Sequence, residues 1–175
     1  MQKPKLNRRK FIQSSAAGIG ALALSPTILT SANVWRGAND RIHLGHIGVG
    51  QRGTNELINY MLPLKDARSV AICDVFRDRR ENGAELTRQY YRDKGMSAPG
   101  CESYLDFQEL LQRSDIDAVH ITTPDHWHVL AAIRSARAGK HIMLAKPLGL
   151  SYPNYLILKK ELKEKDVRFH YATQQ

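Results

Sequence analysis

The stretch "RIHLGHIGVGQRG" (41–53) decides the fold. Ile42, Leu44 and Ile47 read as a strand, and the strand runs directly into Gly48, Gly50 and Gly53, a G-x-G-x-x-G. Glycines alone are common in turns. Here a helical pattern follows, with Leu57, Ile58, Met61 and Leu62 on one face of residues 54–62 before Pro63. About 20 residues further on, the apolar run "SVAICDV" (69–75) contains the acid Asp74 at its end. Strand, glycine turn, helix, strand and acid together form a dinucleotide-binding fingerprint. Gly48 permits the tight turn, Gly50 lets backbone approach a pyrophosphate, and Gly53 allows the helix to pack closely on the strand. The helix start, with Gln51 and Arg52, offers free N–H groups to phosphates. Asp74 can accept from ribose hydroxyls.

Outward from this unit, strands and helices alternate. Helices are expected over 77–95 (Ala84, Leu86 and Tyr90 inward), 106–114, 127–139 and 151–166. Strands are expected over 117–124, 140–144 and 167–172. Helices between strands demand crossover connections and a parallel sheet. The fold class is therefore α/β, a doubly wound parallel sheet.

Upstream, "NRRKFIQ" (7–13) precedes "SSAAGIGALALSP" (14–26). A basic stretch, a short apolar run and small residues make a signal peptide over 1–32, and Arg8-Arg9 before Phe11 and Ile12 resembles a twin-arginine export signal. The apolar run falls short of the ~20 residues that span a bilayer. Cleavage after Ala32 is the expectation, with 33–40 a linker, the dinucleotide-binding domain over 41–175, a periplasmic location and no stable membrane insertion after signal removal.

The chain has 175 residues, enough for one well-formed core. Net charge is +9, but five of the 26 basic residues, and none of the 17 acidic ones, fall in 1–32. The remaining excess is spread out and lacks a basic-aromatic patch, so no nucleic-acid partner is expected. Cys73 and Cys101 make no disulfide framework. Cys73 reads as a small buried hydrophobe, and a bridge between the two is not excluded by the sequence.

Two further stretches end strands, where open α/β sheets bind ligands. "TTPDHWHV" (122–129) offers Thr123, Pro124, Asp125, His126 and His128. His126 and His128 could be read as a metal pair, but no third ligand is evident and no metal is expected. Pro124 would fix the turn, while Asp125, His126 and His128 line or support a cofactor pocket or simply cap the helix. "LAKPLGL" (144–150) places Lys146 at a strand mouth. It could pair with a nearby carboxylate. Alternatively, it could donate to a substrate oxygen or move a proton there, as alcohol–ketone redox chemistry requires. Asp74 favours NAD over NADP, although Arg77, Arg79 or Arg80 could pair with a 2′-phosphate.

These stretches, with "YLDFQELL" (104–111), "DIDAVHITTPDHWH" (115–128), "AGKHIMLAKPL" (138–148) and "YATQQ" (171–175), resemble the Gfo/Idh/MocA oxidoreductases over essentially 41–175. The resemblance implies a Rossmann domain for NAD(H) or NADP(H), followed by a second α/β domain. That second domain holds most of a sugar or polyol site, a catalytic histidine and usually the interface of a homo-oligomer. It further implies that Lys146 and Pro147 match the family's lysine-proline motif beside the nicotinamide, that Pro124 and His128 match its P-x-x-x-H turn, and that Gln174 lies near the cleft. The expected cofactor-binding set is Gly48, Gly50, Gln51, Arg52, Gly53, Asp74, Thr123, Pro124, Asp125, His128 and Lys146, with Lys146 catalytic.

Two departures stand out. The family usually has glutamate before the lysine, where this chain has Ala145. The chain also ends before the second domain, so the expectation is a fragment inactive by itself. An exported member should fold around its cofactor, retain it and recycle it within each turnover, because the periplasm has no free nicotinamide pool. Three functions follow: a sugar or polyol oxidoreductase, an NAD-dependent glycosidase acting by transient oxidation and elimination, or a non-catalytic nucleotide-binding fragment.

Overall fold

A computed structural model describes residues 41–96 and 100–173. The expected signal peptide, linker and Gln174 lie outside the described residues. In chain order the elements are β1 (Ile42–Ile47), α1 (Gln51–Glu56) running into a π turn (Leu57–Met61), β2 (Ala67–Cys73), α2 (Arg77–Asp93), β3 (Glu102–Tyr104) and α3 (Phe107–Gln112). They continue with β4 (Ala118–Ile121), α4 (Asp125–Arg137), β5 (His141–Ala145), α5 (Tyr152–Glu164) and β6 (Phe169–Ala172). The strands form one sheet in the order β3-β2-β1-β4-β5-β6, every pair parallel. The chain returns to the centre between β3 and β4, so the order reverses at the β1–β4 boundary. That switch point is where doubly wound sheets open a crevice.

The sheet is covered on both faces. On one, Leu57 and Met61 of the π turn and Ala84 and Tyr91 of α2 pack with Leu44 and Ile72. On the other, Leu110 of α3, Val129 and Ala132 of α4 and Leu158 of α5 pack with Val70, Val119 and Ile121. All seven residues of β2 are buried, which explains its near-continuous apolar run.

Three readings need correction. The helix expected over 54–62 starts at Gln51 and turns π at Leu57, closed by the Leu62 N–H donating to the Leu57 carbonyl at 2.9 Å. The wider turn buries Leu57, Met61 and Leu62 and leaves Ile58 exposed. In α2 the buried face is Gly83, Ala84, Thr87 and Tyr91, so Leu86 and Tyr90 sit at its margin. Finally, β3 is a strand that the sequence did not announce. Its three residues, Glu102, Ser103 and Tyr104, carry no apolar signal because it is a short, largely exposed edge beside β2.

Among the described residues no helix is long and apolar enough to cross a membrane. Cys73 and Cys101 are both free and buried. Burial pushes the Cys73 thiol up to about 12, with the Asp74 carboxylate adding to the effect, and the Cys101 thiol up to about 11. Neither is a thiolate nucleophile at neutral pH.

Candidate functional site

A cleft of about 840 Å³ crosses the C-terminal ends of β2, β1, β4 and β5. With neighbouring strands about 4.8 Å apart, that spans roughly 14 Å. All eleven residues expected to bind the cofactor line this one cleft.

The turn after β1 is tightly determined. Gly48 has φ +87°, and a Cβ there would lie 2.8 Å from the Thr123 amide nitrogen. A Cβ on Gly53 would strike the Gly48 carbonyl oxygen and come within 2.6 Å of Thr122 Oγ1. Gly50 differs: its missing Cβ would meet nothing closer than Arg79 Nη1 at 3.5 Å. The backbone at Gly50 is therefore open to the cleft, as close approach by a pyrophosphate requires.

Asp74 is buried, and its carboxylate ties this turn to the end of β2. The Val49 N–H donates to Oδ2 at 2.9 Å and the Phe76 N–H to Oδ1 at 3.0 Å. An ionised carboxylate has about four lone-pair sites, so both oxygens keep capacity for ribose hydroxyls. One residue thus shapes the turn and faces the cleft.

The β4 corner is organised by His128. Its ring is buried, with Nδ1 2.5 Å from the Pro147 carbonyl oxygen and Nε2 2.7 Å from that of Thr123. Both ring nitrogens are engaged by backbone, so His128 braces the Thr123 and Pro147 turns instead of presenting a nitrogen to the cleft. His126 is exposed on the first turn of α4, which starts at Asp125, two residues earlier than expected, with Pro124 as its N-cap. The two histidines are thus separated in environment, and among the described residues no cluster is arranged to hold a metal ion. Thr123 Oγ1 is buried without a hydrogen-bond partner. An orphaned hydroxyl beside a cleft is a group a ligand can satisfy.

Lys146 follows β5 across a cis Lys146–Pro147 peptide bond. It lines the cleft, is exposed, and makes no ion pair among the described residues. Among the described residues, the pairing with a carboxylate considered above is not formed. Ala145, where a glutamate was expected, is buried and pairs with Ala172 of β6.

The sequence reading overlooked the cleft's walls. Phe76 carries the Arg79 guanidinium over its ring at 4.3 Å, and Phe107 meets Trp127 edge-on at 6.4 Å. Aromatics placed directly after strand ends were the available signal. Arg80 folds back toward the Asp74 and Val75 carbonyl oxygens at 3.5 and 3.4 Å.

The open backbone at Gly50, the Asp74 carboxylate and the unsatisfied Thr123 hydroxyl, set in one cleft at the switch point, fit a dinucleotide. Fold and cleft define a nucleotide-binding Rossmann domain. The sequence matches the family described as "Oxidoreductase family, NAD-binding Rossmann fold" over residues 42–173, and the chain belongs to that family, the Gfo/Idh/MocA oxidoreductases. Among curated relatives, a glycosyl hydrolase family 109 protein of Shewanella pealeana is 32% identical over 161 residues, covering 84% of this chain and 35% of the relative. An alpha-N-acetylgalactosaminidase of Shewanella oneidensis is 34% identical over 110 residues, covering 63% of this chain and 23% of the relative. Among solved structures, apo scyllo-inositol dehydrogenase of Lactobacillus casei superposes with TM-score 0.60 at 25% identity, covering 76% of this chain and 36% of that one. The chain spans about a third of the length of such relatives.

Proposed function

We propose that this domain holds a nicotinamide dinucleotide for a sugar- or polyol-directed redox step, with Lys146 acting at the substrate oxygen. The observation that carries this reading is the division of one cleft. A braced glycine turn and Asp74 occupy one end, and an exposed lysine without an ion-pair partner among the described residues stands at the other. Gly50, Gln51, Arg52 and Gly53 would hold the pyrophosphate and Asp74 a ribose. Thr123, Pro124 and Asp125 would flank the middle, and Lys146 would stand at the reacting end. When bound, the nicotinamide supplies hydride acceptance and donation. Lys146 Nζ donates a hydrogen bond to the substrate oxygen and, in the reductive direction, gives that oxygen its proton. With alanine at 145, no side-chain carboxylate stands next to the lysine in sequence to orient it.

NAD is the preferred form, because a 2′-phosphate would lie against the Asp74 carboxylate and Arg80 is turned back onto backbone oxygens. Arg79, stacked on Phe76, is the one to watch for NADP. Calorimetric titration with both nucleotides tests this: tighter binding of NADP would overturn the preference. The protein is further proposed to be exported, on the Arg8-Arg9 signal pattern, to retain its cofactor and to form a homo-oligomer. Purification from the periplasm without bound nicotinamide would overturn retention.

A second reading, a glycosidase that oxidises, eliminates, hydrates and reduces within one turnover, is favoured by the similarity to a glycosyl hydrolase family 109 protein and to an alpha-N-acetylgalactosaminidase. Product analysis separates the two: free sugar without net redox change supports the glycosidase.

A further inference from the structure

His46 and His120 stand opposite one another in the β1–β4 register, on one face of the sheet, 1% and 2% exposed. Their rings meet edge-on with centroids 5.6 Å apart. Two adjacent imidazoles are an unusual filling for a sheet core, and each nitrogen needs a partner. His46 Nε2 lies 2.8 Å from Ser69 Oγ, and His46 Nδ1 lies 3.4 Å from His120 Nδ1. His120 Nε2 lies 2.8 Å from Glu56 Oε2, and Arg52 Nε donates to the other oxygen, Glu56 Oε1, at 2.6 Å. At the far end, the Ser69 N–H donates to Tyr91 Oη at 2.8 Å.

The chemistry of each group sets the direction. The bond from His120 holds the Glu56 carboxyl below its ordinary range, so Glu56 is an ionised, acceptor-only group. His120 Nε2 must therefore carry a proton. Burial keeps His46 neutral, with His120 adding to the effect. With the His120 Nε2 proton on the Glu56 side, its Nδ1 faces His46 as the acceptor, His46 Nδ1–H donates to it, and His46 Nε2 accepts from the Ser69 hydroxyl. Every donor then points the same way, toward Glu56.

We propose that Glu56 is a positioning residue for the dinucleotide phosphates, its carboxylate held by the Ser69–His46–His120 chain so that it aims the Arg52 guanidinium into the cleft. This rests on the dinucleotide reading above. An ordinary exposed i,i+4 pair contributes little. This one differs because its acid is anchored from below by a buried imidazole and its side chain is only 12% exposed. Arg52 spends Nε on Glu56, which fixes the plane of the fork. Its two Nη groups have no protein hydrogen-bond partner among the described residues, and the residue lines the cleft. A planar fork so held suits two oxygens of a phosphate. The chain also ties α1, which carries the glycine turn, to three adjacent strands.

The test uses the 175-residue chain and two probes: ADP-ribose, which has the pyrophosphate, and adenosine, which lacks it, both titrated by NMR. Glu56→Gln should weaken ADP-ribose about tenfold, equivalent to about 1.4 kcal/mol, and leave adenosine unchanged. Arg52→Lys, which leaves the buried chain intact but loses the fork, should do the same. Combining Glu56→Gln with Arg52→Lys should cost no more than either alone. Equal weakening of both probes, no weakening, or additive losses would overturn the proposal. Nitrogen-15 spectra of the wild type should show His120 protonated at Nε2 and His46 at Nδ1; any other pattern overturns the chain as drawn. A wild type that binds adenosine but not ADP-ribose, or neither, overturns the dinucleotide reading and this proposal together. Binding of ADP-ribose without selective loss in the variants overturns the positioning role alone.

Discussion

The two ends of the cleft are built on opposite principles. At the β1–β2 end, the groups that shape the glycine turn are committed, while Arg52 turns free donors outward. Asp74 accepts from Val49 and Phe76, Thr122 Oγ1 donates to the Gly48 carbonyl, and Gly48 and Gly53 leave no room for a Cβ. At the β4–β5 end the backbone is braced by His128, yet the groups facing outward are uncommitted: Thr123 Oγ1 has no partner and Lys146 no ion pair among the described residues. One end is built to hold a ligand in a fixed place. The other keeps donors free for whatever arrives. Rigidity and availability are thereby separated along one 14 Å span, and mutations should separate them too.

The largest effect should come from Gly48→Ala. Left-handed backbone costs an L-residue about 1–2 kcal/mol, and overpacking against Thr122 and Thr123 adds about 1–3 kcal/mol. Urea unfolding should show a loss of roughly 3 kcal/mol, with dinucleotide binding abolished; a mild loss would mean the turn is less determined than its geometry shows. His128→Ala should follow at about 1–3 kcal/mol, because the imidazole that sits between the Pro147 and Thr123 carbonyls is lost. If the brace is what holds the β4–β5 end, His128→Ala should also weaken nucleotide binding, because both ring nitrogens are engaged by the Pro147 and Thr123 carbonyls.

The pH dependence is next in size. Burial, helped by His120, keeps His46 well below its ordinary value near 6.5. The unfolded chain therefore takes up a proton below pH 6.5 that the folded chain refuses. Stability should be fully present above that pH and fall as the pH drops, by about 1.4 kcal/mol per unit for one proton. Thermal melts from pH 7.5 to 5 check this, and His46→Gln should remove the slope. Loss of Glu56 ionisation belongs to a separate window, below the ordinary carboxylate range, since its shift is downward. The smallest stability effect should be Lys146→Ala, within about 0.5 kcal/mol for an exposed side chain, with nucleotide affinity unchanged. The same change should abolish the proposed redox turnover.

Much of this was legible in the sequence because local chemistry and global fold agree there. The glycine spacing, Asp74 about 20 residues on and the strand–helix alternation all point to one crevice. What was not legible depends on register. Nothing in "LGHIG" announces that His46 will face His120, because strands 74 residues apart in sequence are aligned only by the sheet. The π turn at Leu57 and the edge strand at Glu102–Tyr104 also escaped, since a one-residue change in helical period and a polar three-residue strand leave no periodic trace. His128 was legible as a site residue, but its role as a brace between two carbonyls was not.

One end of the cleft is proposed to hold the dinucleotide and the other to act on the substrate. Calorimetric titration of NAD into the wild-type chain, Asp74→Asn and Lys146→Ala tests it most directly. The wild type should bind, Asp74→Asn should bind at least tenfold more weakly, and Lys146→Ala should bind as the wild type does. Equal affinity in wild type and Asp74→Asn, or loss in Lys146→Ala alone, would contradict it.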